Sequence, residues 1–396
     1  MVSHLNKKCK NWGGLVLVDS KDMIDTKYKL SIRDALYLVV IGVNIFLRSM
    51  FNLGSVGTYL SYGLILILTF LAIPKVSMDY KGILWLILGL FLSIGIKSLQ
   101  CFFMVLMSFN IYAVNISRIK KNIIVTIISC LLLIYMATLL GLIPNLVVIR
   151  NGISRMAFGT QFPLVFSTYI FYACVYITLM FYKSNPVKLS IILLLVVLFL
   201  DKTTNSRNDE ISILLLILII ACSNLPHVYL KGIYIISTVI SFTLIIFSMF
   251  VTNIVPYTSN WYYFFDKLVS GRLSLQYILF MNYSPHMLGQ YIPQVGFGGG
   301  EQVYNYFYID NSYLRMLFMY GALFFIYAML TITFQLIKKY RNKQFIVGLI
   351  VLVILINGIS ADSLTMLTQN IIVFPLLFLN VKNNNGLKKE VNSWII

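Results

Sequence analysis

The chain has very little charge. Only 11% of its 396 residues are Asp, Glu, Lys or Arg, where a soluble globular domain carries about a quarter, so it cannot coat a water-facing surface in the usual way. Acid is scarcer than base, with 13 Asp and Glu against 31 Lys and Arg and a formal net charge of +18. Histidine occurs only at His4, His227 and His286, too few for a histidine cluster around a metal on one side. The five cysteines, Cys9, Cys101, Cys130, Cys174 and Cys222, lie in the N-terminal segment or in apolar runs. That placement argues against a disulfide-built exterior and against a cysteine zinc site. No metal and no other cofactor is expected.

What the chain has in quantity is apolar sequence: 59% of residues are hydrophobic and the mean hydropathy is +0.85. A membrane span needs about 20 predominantly apolar residues, and the runs near 34 to 51, 55 to 73, 82 to 96, 98 to 117, 122 to 143 and 161 to 182 supply six candidates. Six more lie near 187 to 201, 209 to 224, 232 to 252, 312 to 336, 344 to 359 and 363 to 381. The fold class expected is therefore all-α, a polytopic integral membrane helical bundle of about 12 transmembrane helices. The seventh and eighth runs are short enough for a re-entrant hairpin, which would leave ten spans and the same topology. Residues 1 to 33 are polar, Lys-rich and without an apolar signal-peptide core, so they are expected to form a cytoplasmic segment. The membrane domain then covers 34 to 381, and 382 to 396 form a cytoplasmic tail.

The basic residues orient the bundle. With the N-terminus inside, 22 of the 31 Lys and Arg fall on cytoplasmic segments and nine outside, as the positive-inside rule requires. The membrane thus accounts for the net charge, and no nucleic-acid partner is expected. The division by residue type carries more information, because 19 of 22 lysines are inside while six of nine arginines, Arg48, Arg150, Arg155, Arg207, Arg272 and Arg315, are outside. Orientation alone has no preference for arginine. A planar guanidinium that grips phosphate or carboxylate oxygens in pairs does.

One long polar stretch, 253 to 311, interrupts the apolar runs between the ninth and tenth helices, and it is the expected external catalytic loop. It holds Asp266, Lys267, Arg272, His286, Glu301 and Asp310, a glycine cluster from Gly296 to Gly300, and many tyrosines. Beside it stand three further outer elements: IPNLVVIRNGISRMAFGTQFP with Arg150 and Arg155, DKTTNSRNDE with Arg207, and YIDNSYLRMLFMYG with Asp310, Asn311 and Arg315. Any one arginine could be a snorkelling residue at the headgroup level, but several beside interrupted helices point to an anion site. An Asp or Asn before an apolar run is commonly a helix N-cap, which explains one of Asp310 and Asn311 and leaves the other. Glu301, after GFGGG, is the second candidate acid. The glycines themselves lack the Lys and Ser or Thr of a phosphate loop. The tyrosines suit the apolar faces of sugar rings and equally an interfacial aromatic belt.

The order RNGISRMAFG, TTNSRNDEISILLL, SGR in a long external loop and DNSYLRMLFMYGALF resembles the polysaccharide polymerase and O-antigen ligase superfamily of bacterial envelopes. The likeness covers roughly 140 to 330. It implies a metal-independent membrane glycosyltransferase that polymerises polyprenyl-diphosphate-linked oligosaccharides into a capsular, exopolysaccharide or O-antigen chain on the outer face of the bacterial plasma membrane. By the resemblance, Arg155 or Arg150 and Arg272 would hold the diphosphate. Arg207, Arg315, Asn311, Glu301 and His286 are further substrate-binding candidates among the loop residues. Catalytic roles fall to Arg272, Arg155 and Asp310, the last as base for the acceptor hydroxyl. The ligases carry a His-Asn pair where this chain has Asp310 and Asn311, a departure that favours a polymerase and leaves His286 outside the motif. Membrane lipid, a flippase and a chain-length regulator are the partners this would imply. The alternatives are a flippase or transporter of the lipid-linked oligosaccharide, for which midplane charges and internal repeats would be expected, and a ligase to another acceptor.

Overall fold

A computed structural model describes residues 30–73, 80–150, 152–269, 271–296 and 306–377. Each apolar run forms a helix: α1 Ile32–Leu47, α2 Gly54–Ala72, α3 Tyr80–Ile96, α4 Gln100–Ala113, α5 Ile116–Leu139, α6 Pro163–Phe181, α7 Pro186–Thr203, α8 Arg207–Cys222 and α9 His227–Ile254. The stretch after α9, expected as a loop, contains α10 Asn260–Leu268 and α11 Arg272–Asn282. The chain continues as α12 Ser312–Arg315, a π-turn Met316–Tyr320, α13 Ala322–Arg341, α14 Phe345–Asn357 and α15 Leu367–Leu377. A hairpin of β1 Val147–Arg150 and β2 Ile153–Met156, unforeseen in the sequence, pairs Val148 with Arg155 between α5 and α6.

By length and composition, α2, α5, α6, α9 and α13 are able to cross a membrane. The protein is a helical, membrane-embedded bundle. Helices that are apolar all round belong in an apolar interior or in lipid, and both destinations are visible. α14 is buried along almost its whole length between α8, α9 and α13, whereas α2, α3, α7 and α9 turn residues such as Val56, Phe91, Leu195 and Ile236 outward.

Buried tyrosines repair the backbone where helices break. Pro375 inside α15 has no N–H for the Ile371 carbonyl four residues earlier, and the Tyr37 hydroxyl donates to that oxygen at 2.6 Å. Tyr313 donates to Leu355 O and Tyr320 to Thr365 O across the tenth segment. That segment breaks after its π-turn at Gly321, whose φ is +94°. The gap admits the chain around Gly289: Gln290 N donates to Met319 O, and Ala322 N donates to His286 O. A Cβ on Gly321 would lie 2.3 Å from Gly289 N, so a side chain fits at neither glycine without displacing backbone.

Hydrogen bonds collect the arginine-bearing loop elements at one end of the bundle. The end of α1 meets the start of α6 through Arg48 and Gln161, the β-hairpin meets the α7–α8 turn, and the α14–α15 turn meets the start of α12 through Ser312. Lys339, Arg33, Arg118 and Asp34 make their contacts at the opposite end.

Candidate functional site

The site is built on the start of α11. Asp266, near the end of α10, accepts from Leu273 N and Ser274 N at 2.9 and 3.1 Å and from the Ser274 hydroxyl at 2.8 Å. It therefore caps α11 from outside, and Gly271, with φ +82°, makes the turn that a β-carbon would strain. These two residues set Arg272 at the first helical position. Its Nε donates to Asp310 Oδ2 at 2.8 Å, with the two side chains 24% and 18% exposed.

Asp310 is not the helix cap. Asn311 is, its Oδ1 accepting from Tyr313 N and Leu314 N while its amide donates to Ser248 Oγ. The capping role of the Asp310–Asn311 pair is thus filled by Asn311, and Asp310 is left to Arg272. Burial alone would lower the pKa of Arg272, but the facing Asp310 raises it on balance, so the guanidinium stays charged.

A cavity of about 500 Å³ opens beside this pair. Arg48, Arg155, Arg272, Asp310, Asp362 and Tyr308 line it, with Tyr306 and apolar residues of α6 and the hairpin. Arg155, in β2, donates from Nε to Thr204 O at 2.6 Å, which ties the hairpin to the α7–α8 turn. Asp362, in the α14–α15 turn, gathers three partners on one oxygen: a short hydrogen bond from the Tyr308 hydroxyl, Arg315 Nη1 at 3.2 Å and Arg48 Nη2 at 3.9 Å. The Arg315 guanidinium lies 5.1 Å from the centre of the Tyr308 ring. Burial, reinforced by Asp362, pushes the Tyr308 phenol up to about 12, so it remains a donor. Burial followed by Asp310 likewise raises Tyr306.

A second cavity, of about 310 Å³, adjoins the first. Its wall is apolar, with Leu244, Phe247, Val251, Phe265 and Val269 from α9 and the α10 region, and it shares Arg272, Leu275, Tyr308 and Asp310 with the charged chamber. The Arg272–Asp310 pair therefore stands on the border between a charged space and an apolar one.

The candidates from the sequence separate on this geometry. Arg155, Arg272 and Asp310 come together at the chamber, and Arg315 lies buried beneath Asp362. Arg207 is exposed and outside the wall; the polar work of its segment belongs to Asp209, fully buried and held by Ser167 at 2.5 Å, Thr168 and Asn357, which locks α8 to α6 and α14. His286 is exposed and serves the Gly321 break through its carbonyl. The backbone of Arg150 pairs with Ile153 in the hairpin. Glu301 and most of the glycine cluster lie outside the described residues. Arg48 and Asp362 were missed as site residues. Arg48 is one of the six outer arginines, and that count is the signal that could have found it; Asp362, a lone acid in a short turn, gives none.

The described residues hold no group of three His, Cys, Asp or Glu side chains that could bind a metal ion. No family model matches the chain, and neither the curated proteins nor the solved structures contain a match to it.

Proposed function

We infer that the protein is a membrane glycosyltransferase that joins polyprenyl-diphosphate-linked oligosaccharides into a surface polysaccharide. The single observation that carries this reading is the border position of Arg272 and Asp310, with guanidiniums on one side and a separate apolar cavity on the other. An amphiphile with an anionic head and a hydrocarbon tail matches both spaces, and a lipid-linked diphosphate is such a molecule. Displacing diphosphate from an anomeric carbon needs charge neutralisation on the leaving group, which preorganised guanidiniums supply in a partly buried site. Arg272, Arg155 and Arg48 are the groups assigned to that task.

The acceptor hydroxyl needs a base within hydrogen-bond reach. Asp310 is the better candidate of the two lining carboxylates. One oxygen of Asp362 is already crowded by Tyr308, Arg315 and Arg48, so an acceptor hydroxyl would have to displace one of them, whereas Asp310 Oδ2 is engaged by Arg272.

The reading carries a topology with it. Twelve crossings, with both termini cytoplasmic, bring the ends of α1, α3, α5, α7, α9 and α14 and the starts of α2, α4, α6, α8, α12 and α15 to the outer face of the bacterial plasma membrane. That assignment places the chamber where a flipped lipid-linked sugar would arrive. A deletion strain tests the function directly. Single repeat units on an otherwise normal surface are the expected phenotype, and loss of all surface glycan would point to export instead.

A further inference from the structure

A third cavity lies at the same end of the bundle and differs from the other two in chemistry. It measures about 290 Å³, close to the lower end of the range that ligand pockets occupy, about 300–1,000 Å³. Its wall comes from the end of α1, the first turns of α2, the start of α4, the residue before Phe162, and the start of α15. Uncharged amides and hydroxyls dominate it, among them Asn52, Thr58, Gln100, Gln161 and Thr368, and Tyr62 contributes the one aromatic ring of the lining. Phe103 stacks on that ring at 3.9 Å between centroids and fixes its plane. Among the described residues no carboxylate lines the cavity, and the charged one in its wall is Arg48, which is also part of the wall of the charged chamber.

Such a lining selects a ligand class. A cation would find no counter-charge. A free anion would find one guanidinium already facing Asp362 at 3.9 Å, against three in the chamber next door. The donors of these groups are held inside the fold, Thr58 Oγ1 by Gly54 O, Gln100 Nε2 by Thr365 O and Gln161 Nε2 by Leu47 O, and an apolar chain would cover the acceptor oxygens that remain, at a cost of about 1–3 kcal/mol for each left unpaired. A neutral polyhydroxylated molecule satisfies them, because each sugar hydroxyl both donates and accepts while its C–H face packs on a ring. Gln161 joins the two spaces: its Nε2 donates to Leu47 O at 3.1 Å, and its Oε1 stands 3.5 Å from Arg48 Nη1.

We propose that this neutral cavity is a saccharide subsite, which takes sugar rings of the lipid-linked substrate while its diphosphate occupies the arginine chamber, with Arg48 at the junction. The assignment rests on the functional reading above and adds to it where the sugar sits. Arg48 then contacts the substrate near the linkage between its sugar and phosphate, and the distal rings run toward α2 and α4.

The test uses the full-length protein purified in nanodiscs and two probes: bare polyprenyl diphosphate, and the same lipid carrying an oligosaccharide extracted from the producing cells. Wild type should bind the glycosylated lipid at least about tenfold more tightly than the bare one, a gain equal to about one or two good hydrogen bonds. Thr58→Trp fills the cavity from a side chain at its rim, and it should abolish that gain while leaving affinity for bare lipid unchanged. Thr58→Val keeps the shape and removes the hydroxyl oxygen, whose proton goes to Gly54 O within the same helix, so it should weaken only the glycosylated probe, by about three- to tenfold. The subsite is refuted if Thr58→Trp retains the full gain, if it loses bare-lipid binding as well, or if wild type binds both lipids equally. A wild type that binds neither lipid overturns the functional reading itself.

Discussion

Replacing Arg272 separates a guanidinium that grips a ligand from one that anchors at a headgroup. Its Nε is committed to Asp310 at 2.8 Å, and its two terminal nitrogens make no hydrogen bond to the described residues, which leaves a fork for two anionic oxygens. Lysine keeps the charge and has one nitrogen where arginine has three. It can meet Asp310 or the ligand well, not both. Loss of one charge-stabilising donor at a reacting centre typically costs about 10²–10³ in rate, or about 2.7–4 kcal/mol. Arg272→Lys should therefore lose at least about a hundredfold in elongation rate and approach Arg272→Ala. The folded state should suffer less with lysine. Removing one partner of a fully buried pair costs about 3–5 kcal/mol, and with about a fifth of each side chain exposed, solvent screening reduces this to about 1–3 kcal/mol for alanine. Lysine retains part of that as a point charge. Elongation of a purified lipid-linked acceptor, measured beside thermal unfolding in the same detergent, reads both quantities. Recovery of more than about a tenth of wild-type rate by lysine would refute the fork, because a snorkelling anchor tolerates that exchange.

Three further outcomes follow from the same reasoning. A reporter fused after Asn383 should read cytoplasmic and one inserted near Gly299 external; the reverse at either place would put the chamber on the wrong side of the membrane. Elongation by purified protein should persist in excess chelator, since the described donors include no metal-binding cluster; abolition with rescue by magnesium or manganese would refute an arginine-only account. Gly321→Ala should destabilise the protein by about 2–4 kcal/mol, from a strained positive φ and a Cβ driven into the backbone of Gly289, seen as a lowered melting temperature; an unchanged melt would mean that the break relaxes freely.

The helices were legible because each apolar run is long and continuous, and their ends moved by a few residues where capping decided the boundary. α1 stops at Leu47, so Arg48, inside the run read from sequence, becomes a wall residue with its side chain toward Gln161 and Asp362. The preference of arginine for one face led to Arg155 and Arg272, since the chemistry of the guanidinium leaves a compositional trace. Pairing leaves none. Nothing in the order of residues says that Asp362 will collect Arg48, Arg315 and Tyr308, partners more than 40 positions away, or that Gly289 will meet Gly321. The tyrosines divided along the same line. Tyr306 and Tyr308 face the chamber, whereas Tyr262 is buried against Val251 and Leu273, and Tyr257 stacks on Tyr277 at 4.6 Å, so the tyrosines do not form one sugar platform.

The two aspartates of the chamber compete with any anion that enters it. Arg48, Arg155 and Arg272 line the wall with Asp310 and Asp362 among them, and Arg315 lies just beneath, so the site's own side chains carry an excess of positive charge and its guanidiniums are already aimed. Pre-aimed dipoles cost little reorganisation when a charge arrives. A carboxylate whose purpose was only to aim Arg272 could be replaced by an amide, which accepts the same hydrogen bond without the charge. A carboxylate that takes the acceptor proton could not. Asp310→Asn thus has two opposed consequences. With one competing negative charge removed from a partly buried site, bare polyprenyl diphosphate should bind more tightly, by about three- to tenfold for an interaction of about 1 kcal/mol at the effective dielectric of such sites. Elongation should fall by about 10²–10⁴, the range assigned to a general base. Folding is protected, because Asn311 and not Asp310 caps α12. Tighter binding with lost elongation identifies the base. Tighter binding with normal elongation would reduce Asp310 to a positioning group, and weaker binding would mean that Arg272 no longer points into the chamber without its partner's charge.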